Sequence, residues 1–277
     1  MSDLSVSFVL ERSERHFGGC AGNVAYSLGL LRVPATVCGA LGFDGGRYRN
    51  VMESWGMDLD RVEEGKGATA HAVIGTDLDG KQIAQFIPGA LEEAGEFVLP
   101  VEAAAGDLLW VGPERKDRML AAAAQGVVRG LRVFVDPGQL VHAFTGKELL
   151  QFLEGAEGLL VNRYEWTILQ KKTGLSSREL QGKVPLVLVT QGAEGGFMLR
   201  KDAEEQFPAV PAEEVDPTGA GDAFRAGVLA GFFHAWPLAD SVKAGTLLGA
   251  AAVEHSFAQG HTISEGQARV LKTLGSA

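Results

Sequence analysis

The chain reads as an α/β protein with a mostly parallel sheet covered on both faces by helices, plus a small β-flap. Three observations predict this. Short, continuously apolar runs alternate with helical patterns through most of its 277 residues. Those runs lack the in-out alternation of a half-exposed strand, as strands buried on both faces do. Two further stretches, residues 4–17 and 68–88, do carry polar residues on alternate positions and fit an exposed flap better than a central sheet.

In chain order, apolar strand patterns occur at ATVCGAL (35–41), DLLWVG (107–112), LRVFVD (131–136), GLLVN (158–162) and LVLVT (186–190). Helical patterns fill 21–32, 46–56, 115–130, 146–154 and 163–172, with two long ones at 219–235 and 238–256. The flap stretch carries a hairpin signal, DLDGK, between HAVIGT and QIAQFI. A flap over the edge of such a body is placed to close over a ligand. There is no fixed-period repeat and no low-complexity linker.

Composition narrows the class. Hydrophobic residues make up 46% of the chain, enough for a sizeable core, and the formal net charge is −10. That charge argues against a nucleic-acid or anionic-membrane surface, though not against a nucleotide ligand held by local donors. Two cysteines, Cys20 and Cys38, lie in unlike settings with no metal-type spacing, which fits free thiols in a reducing compartment. No apolar run is long enough for a membrane span, and the first residues carry early charges without a signal-type apolar core. The chain reads as cytosolic.

The most informative segment is DPTGAGDAF, Asp216 to Phe224, a turn of small residues opening into an apolar helix. Amide N–H groups at that helix start, with the positive end of its dipole, make a site for an anion such as a phosphoryl group. Asp222 puts a carboxylate beside it. In plain anion binding the two charges would repel. The pairing makes sense if the carboxylate takes a proton from a hydroxyl while the amides hold the group that the hydroxyl attacks. The plain alternative is a helix start with an acidic residue in its first turn.

Other segments are weaker alone. Asp136, Asn162 and Thr190 each stand where an apolar strand meets its loop, the end at which open α/β sheets bind ligands; equally, Asp, Asn and Thr are good turn and cap residues. GGCAGN (18–23) lets a ligand approach the backbone closely and offers Asn23 to a hydroxyl, or it serves tight helix packing. NRYEW offers Asn162 and Glu165 to a hydrated Mg²⁺, or a capping pair. VTQGAEGG (190–196) suits nucleotide phosphates, or is a hairpin turn into GFMLR. Phe86 is able to stack on a flat base or to belong to the flap's own core. GKE (146–148), GKQ (80–82) and GKV (182–184) lack the rest of a P-loop, and no GxGxxG follows an early strand.

Together these segments resemble the ribokinase/PfkB family of sugar and nucleoside kinases. GGCAGN looks like its first signature and DPTGAGDAF its second. NRYEW is similar to its N-x-x-E motif and VTQGAEG to its phosphate-binding segment. LSVSF, TDLDGKQIAQFIPGA, VDPGQ and AVEHSFAQG look most like bacterial adenosine kinases. The resemblance implies a three-layer α/β/α ribokinase-like sandwich with a small β-lid, the core formed by residues 18–65 and 92–277 and the lid by 1–17 and 66–91. It implies Mg²⁺-dependent transfer of the γ-phosphoryl group of ATP to a primary alcohol, most closely adenosine, with a sugar such as ribose or fructose, or a catalytically weak nucleoside-binding homologue lacking the first core strand, as the alternatives.

By the same resemblance Asp222 is the base, and the amides of Gly219, Ala220 and Gly221 form the anion hole. Asn162 and Glu165 serve metal and phosphates; Thr190, Gly192 and Gly195 serve ATP. Gly18, Gly19 and Asn23 hold the substrate ribose, and Ser7 and Phe86 of the lid contact the nucleoside. A homodimer through the lid is an arrangement open to such a flap. Two departures stand out. Family members normally begin with a strand carrying a substrate-binding Asp, whereas this chain starts at the lid strand. Either the sequence is truncated, or the protein lacks a core strand and a hydroxyl clamp that contributes roughly 1.5–3 kcal/mol. Phe257, Ala258 and Gln259 replace the usual Gly-Thr-Gln, which bears on nucleotide contacts and on a monovalent cation.

Overall fold

Strand residues segregate by parity into two cores, and this sets the layers. In the computed structural model, which describes residues 11–76, 82–200 and 203–275, Phe134, Leu160, Leu186 and Leu188 face one core. Their neighbours Val133, Val135, Leu159, Val161, Val187 and Val189 face the other. A strand turns successive side chains to opposite faces, so continuous apolar runs need a cover on each side.

The elements follow in chain order: α1 (Cys20–Leu30), β1 (Thr36–Leu41), α2 (Gly46–Ser54), β2 (Asp58–Glu64), β3 (His71–Thr76) and β4 (Gln82–Ile87). Then come β5 (Leu108–Val111), α3 (Lys116–Arg129), β6 (Arg132–Val135), α4 (Gly146–Leu153), β7 (Gly158–Asn162) and α5 (Arg163–Thr173). The remainder is α6 (Ser177–Gln181), β8 (Leu186–Thr190), β9 (Gly196–Arg200), β10 (Ala203–Phe207), α7 (Ala220–Phe233), α8 (Leu238–Val253) and α9 (Glu265–Thr273). Helices α1, α7, α8 and α9 contribute to the first core; α3, α4, α5 and α6 contribute to the second. Reciprocal capping boxes start α4, α5, α6 and α9, satisfying amides that a helix start otherwise leaves orphaned.

Among the described residues the central sheet has six strands, in the order β10-β9-β8-β7-β6-β5. Strands β5 to β8 are parallel, while β9 and β10 extend the sheet antiparallel. The result is a three-layer α/β/α sandwich with a mostly parallel sheet.

Two sequence expectations are corrected. Residues 35–41 form a strand, but among the described residues β1 pairs in parallel only with β2, outside the central sheet. Val37 packs toward the first core and Cys38 toward the second, as Leu108 and Leu109 of β5 do, so β1 follows the same layer without sharing a ladder with β5. A cavity of about 3990 Å³ reaches both strands. Second, residues 11–17 carry no strand; 4–10 lie outside the described residues. Instead His16 stacks on Phe257 and Phe17 on Tyr48.

The hairpin expected over 68–88 is present as β3 and β4, an antiparallel pair that joins no other strand among the described residues. Val73, Ile74, Ile83 and Phe86 on it are all at least half exposed, while its turn lies outside the described residues.

Helices α7 and α8 pack against each other with little room at Gly227. A Cβ on Gly227 would lie 2.6 Å from the Ala244 carbonyl and the Gly245 nitrogen. Both obstacles are backbone. Gly227→Val is therefore expected to cost about 3 kcal/mol of stability, read as a lowered melting temperature. A wild-type melting curve would show that the helices move apart freely.

Candidate active site

Parallel pairing brings three strand tips to one edge. Asn162 and Thr190 are register partners at the ends of β7 and β8, and Asp136 follows β6, the next strand. Asn162 accepts from the Glu165 amide at 2.8 Å, and Glu165 accepts from the Asn162 amide at 2.8 Å. The capping reading of NRYEW is thus realised.

The DPTGAG turn delivers α7 to the same edge. Asp216 anchors it, accepting from the amides of Thr218 at 2.9 Å and Phe257 at 2.8 Å. Gly219 is the residue before α7 and has a left-handed backbone, φ 84°, that disfavours any Cβ. A Cβ there would also lie 2.6 Å from the Ala258 Cβ. No side chain caps α7. The amide of Ala220 donates to the Pro217 carbonyl at 3.2 Å. Among the described residues the amides of Gly219, Gly221 and Asp222 have no protein acceptor, so Asp222 takes the place of Ala220 in the expected trio of free donors.

Asp222 is half-buried, and the first signature meets it. Asn23 of α1 donates to Asp222 Oδ2 at 2.7 Å, while Asn23 Oδ1 accepts from Gln259 Nε2 at 2.9 Å. Gln259 donates as well to the Tyr48 hydroxyl at 2.6 Å, and Tyr48 donates to the Gly18 carbonyl at 2.9 Å. Burial pushes the Asp222 carboxyl up to about 6. The Arg225 cation and the Asn23 hydrogen bond pull it down, and the charge of Asp136 adds to the rise.

Beneath the turn, Arg225 pairs with Asp136 through Nε, and its Nη2 donates to Asp136 Oδ1 at 3.2 Å. The same Nη2 is 3.7 Å from Glu165 Oε2. Burial works against the Arg225 charge, but the carboxylates of Asp136, Asp222 and Glu165 outweigh it and hold the guanidinium protonated. Burial, and then the charge of Asp136, raise the Glu165 carboxyl, with Arg225 opposing.

The remaining sequence candidates fall as follows. Gly18, Gly19, Asn23 and Phe86 line one cavity, which reaches the turn at Asp216, Pro217 and Thr218. Gly192 and Gly195 form the tight connection from β8 to antiparallel β9, so VTQGAEGG is the hairpin foreseen as its alternative reading. Ser7 lies outside the described residues. Sequence reasoning missed Arg225 and Tyr48, and noted Gln259 only as a departure. Arg225 carried a readable signal, a lone charge in the apolar helix AFRAGVLAGFF; Tyr48 carried none.

Comparison with known proteins fits this geometry. The family model described as pfkB family carbohydrate kinase matches residues 5–265. A solved structure of Burkholderia thailandensis nucleoside kinase in complex with inosine is 35% identical, aligned over 98% of this chain and 90% of that one, with TM-score 0.87. The same protein in complex with ADP-inosine aligns at 34% identity over 99% and 86%, with TM-score 0.86. A nucleoside kinase of Methanocaldococcus jannaschii is 29% identical over 246 residues, 84% of this chain and 78% of that protein.

Proposed function

The chain belongs to the pfkB family of carbohydrate kinases, phosphotransferases that act on hydroxyl groups of nucleosides or sugars, and we propose that it passes the γ-phosphoryl group of ATP to a primary hydroxyl of a purine nucleoside, adenosine or inosine. One observation carries this reading. The raised carboxyl of Asp222 stands in the first turn of α7, beside open amides, and is held there by Asn23 of the GGCAGN segment.

In this reading the incoming hydroxyl gives its proton to Asp222 as its oxygen attacks phosphorus. The amides of Gly219 and Gly221 and the positive end of α7 meet the charge on the transferred group. Asn23 keeps the carboxylate turned to the hydroxyl while Gly18 and Gly19 let the ribose lie close. Thr190, Gly192 and Gly195 line the phosphate side. Phe86, exposed on the hairpin and lining the same cavity as Asn23, stacks on the base, and hairpin closure excludes water. The purine assignment draws on the Burkholderia relative, whose complexes hold inosine.

Among the described residues no three His, Cys, Asp or Glu groups cluster as a metal cage. Glu165 and Asn162 are already joined to each other by their capping box, so they would hold Mg²⁺ through its own waters, beside the nucleotide phosphates. When bound, Mg²⁺ neutralises phosphate charge.

The test is a substrate panel with ATP. Adenosine or inosine is expected to show kcat/KM about 10²-fold above ribose or fructose, because a pocket built for base and sugar gives up binding when the base is missing. A free sugar turned over faster than either nucleoside would move the assignment to a sugar kinase. The rate should also depend on pH through Asp222. A carboxyl near 6 accepts a proton only when ionised, so kcat/KM should fall about tenfold per pH unit below about pH 6. A profile flat down to about pH 4.5 would mean that another group takes the proton.

A further inference from the structure

Arg225 is a full charge in the middle of an apolar helix. Ala223, Phe224, Ala226, Gly227, Val228, Leu229 and Ala230 around it are buried, and Arg225 itself is 7% exposed. A buried guanidinium loses much of its hydration, which only good pairing offsets. The pairing here draws on separate elements. Asp136 comes from the end of β6 and Glu165 from the first turn of α5, while Asp222, one turn earlier in α7, acts on Arg225 through its charge. A Cβ on Gly221 would lie 2.7 Å from Arg225 Nη1, so the guanidinium lies directly against the backbone of the anion-binding turn.

Without Arg225 the three carboxylates of Asp136, Glu165 and Asp222 would confront one another in a poorly solvated space. The anionic phosphates of the substrate would add to that repulsion. A neutral residue of similar volume would pack at least as well in α7, so packing alone does not account for an arginine. Its planar fork serves Asp136 through two nitrogens and faces Glu165 through one of them.

We propose that Arg225 is a positioning residue for phosphoryl transfer: it ties the first turn of α7 to the ends of β6 and β7 and so holds Asp222 and Glu165 in register across the reacting group. The inference rests on the reading of Asp222 as the base. The groups that share charge with Asp222 are Cys20 of α1, Tyr48 of α2, Asp136 after β6, Glu165 of α5 and Arg225 of α7, and Arg225 is the cation among them. Removing the cation and removing a neighbouring anion must therefore move the working pH range in opposite directions. A strut that acts only on stability has no such sign.

The experiment measures kcat/KM for ATP and a purine nucleoside from about pH 5 to about pH 9, with melting temperatures, for wild type, Arg225→Met, Arg225→Lys, Asp136→Asn and Asp222→Asn. Arg225→Met should lower kcat about 10²-fold at neutral pH and move the acidic limb up by about one pH unit. Arg225→Lys should keep the limb near its wild-type place but recover kcat only in part, because an ammonium cannot serve both carboxylates as the fork does. Asp136→Asn should move the limb down. A limb that stays put in Arg225→Met and Asp136→Asn, with only melting temperature lowered, overturns the inference. If Arg225→Met does not fold, Arg225→Lys and Asp136→Asn decide it: a Lys variant with full kcat and a stationary limb in Asp136→Asn overturn it equally. Wild-type turnover by Asp222→Asn overturns the base assignment instead, whatever the Arg225 variants do.

Discussion

Asp222→Asn should lower kcat by about 10²–10⁴-fold while leaving the KM for ATP within a few-fold, the range that a positioned general base contributes. The replacement is nearly the same shape, and its amide oxygen is able to accept the hydrogen bond that Asn23 now gives to the carboxylate. What disappears is the capacity to take the hydroxyl proton. The same change should make the protein more stable at neutral pH. Burial raises this carboxyl to about 6 from an ordinary 3.8, so folding favours its protonated form. The cost of ionising it begins as pH rises past the ordinary value and is complete above about pH 6. Because the group is only half-buried, we expect a gain of about 1–2 kcal/mol above that pH, and none below about pH 4. A variant that is both slow and more stable at pH 8 than at pH 4, relative to wild type, carries the signature of a strained working carboxylate. Equal melting curves at both pH values would mean that the carboxyl titrates normally.

Gly219→Val should be nearly as damaging for a different reason. The left-handed backbone at Gly219, φ 84°, costs about 1–2 kcal/mol for a residue with a Cβ, more for a branched one. The new atoms would collide with Ala258, whose Cβ and Cα lie 2.6 and 2.7 Å from the Cβ position. Relief requires the turn to shift, and with it the open amides of Gly219 and Gly221. Loss of one such donor lowers kcat by about 10²–10³-fold in acyl transfer enzymes, and we expect a loss of that order here. Stopped turnover with intact nucleotide binding would locate the damage in the transition state. Near-normal kcat in a folded Gly219→Val protein would remove the turn from the mechanism.

Much of the architecture was legible because it rests on local pattern. LRVFV, GLLVN and LVLVT are apolar on both faces and became β6, β7 and β8, the strands between the two cores. Strand β2 was not read, because DLDRVEE buries only Leu59 and Val62 and looks like a charged loop. The isolation of β1 with β2 was equally invisible, since pairing is decided by which edges meet and not by a strand's own residues. Within the site, the turn at Gly219 and the capping pair Asn162–Glu165 were readable from spacing. The contacts of Asn23 with Asp222, Arg225 with Asp136 and Gln259 with Tyr48 span 199, 89 and 211 residues, and no local pattern encodes them. Hence Asn23, expected only at the ribose, also holds the carboxylate. The Phe257-Ala258-Gln259 segment, read for its bearing on nucleotide and monovalent-cation contacts, also supplies the amide that anchors Asp216 and the side chain that orients Asn23.

The most direct measurement is product stoichiometry with ATP, Mg²⁺ and a purine nucleoside, following ADP and the nucleoside's phosphate ester together by phosphorus NMR. If the carboxylate at the mouth of α7 directs the phosphoryl group to an alcohol, each ADP should be matched by one phosphorylated nucleoside, and Asp222→Asn should yield neither above background. ADP released without the ester, or ester formed at full rate by the variant, would contradict it.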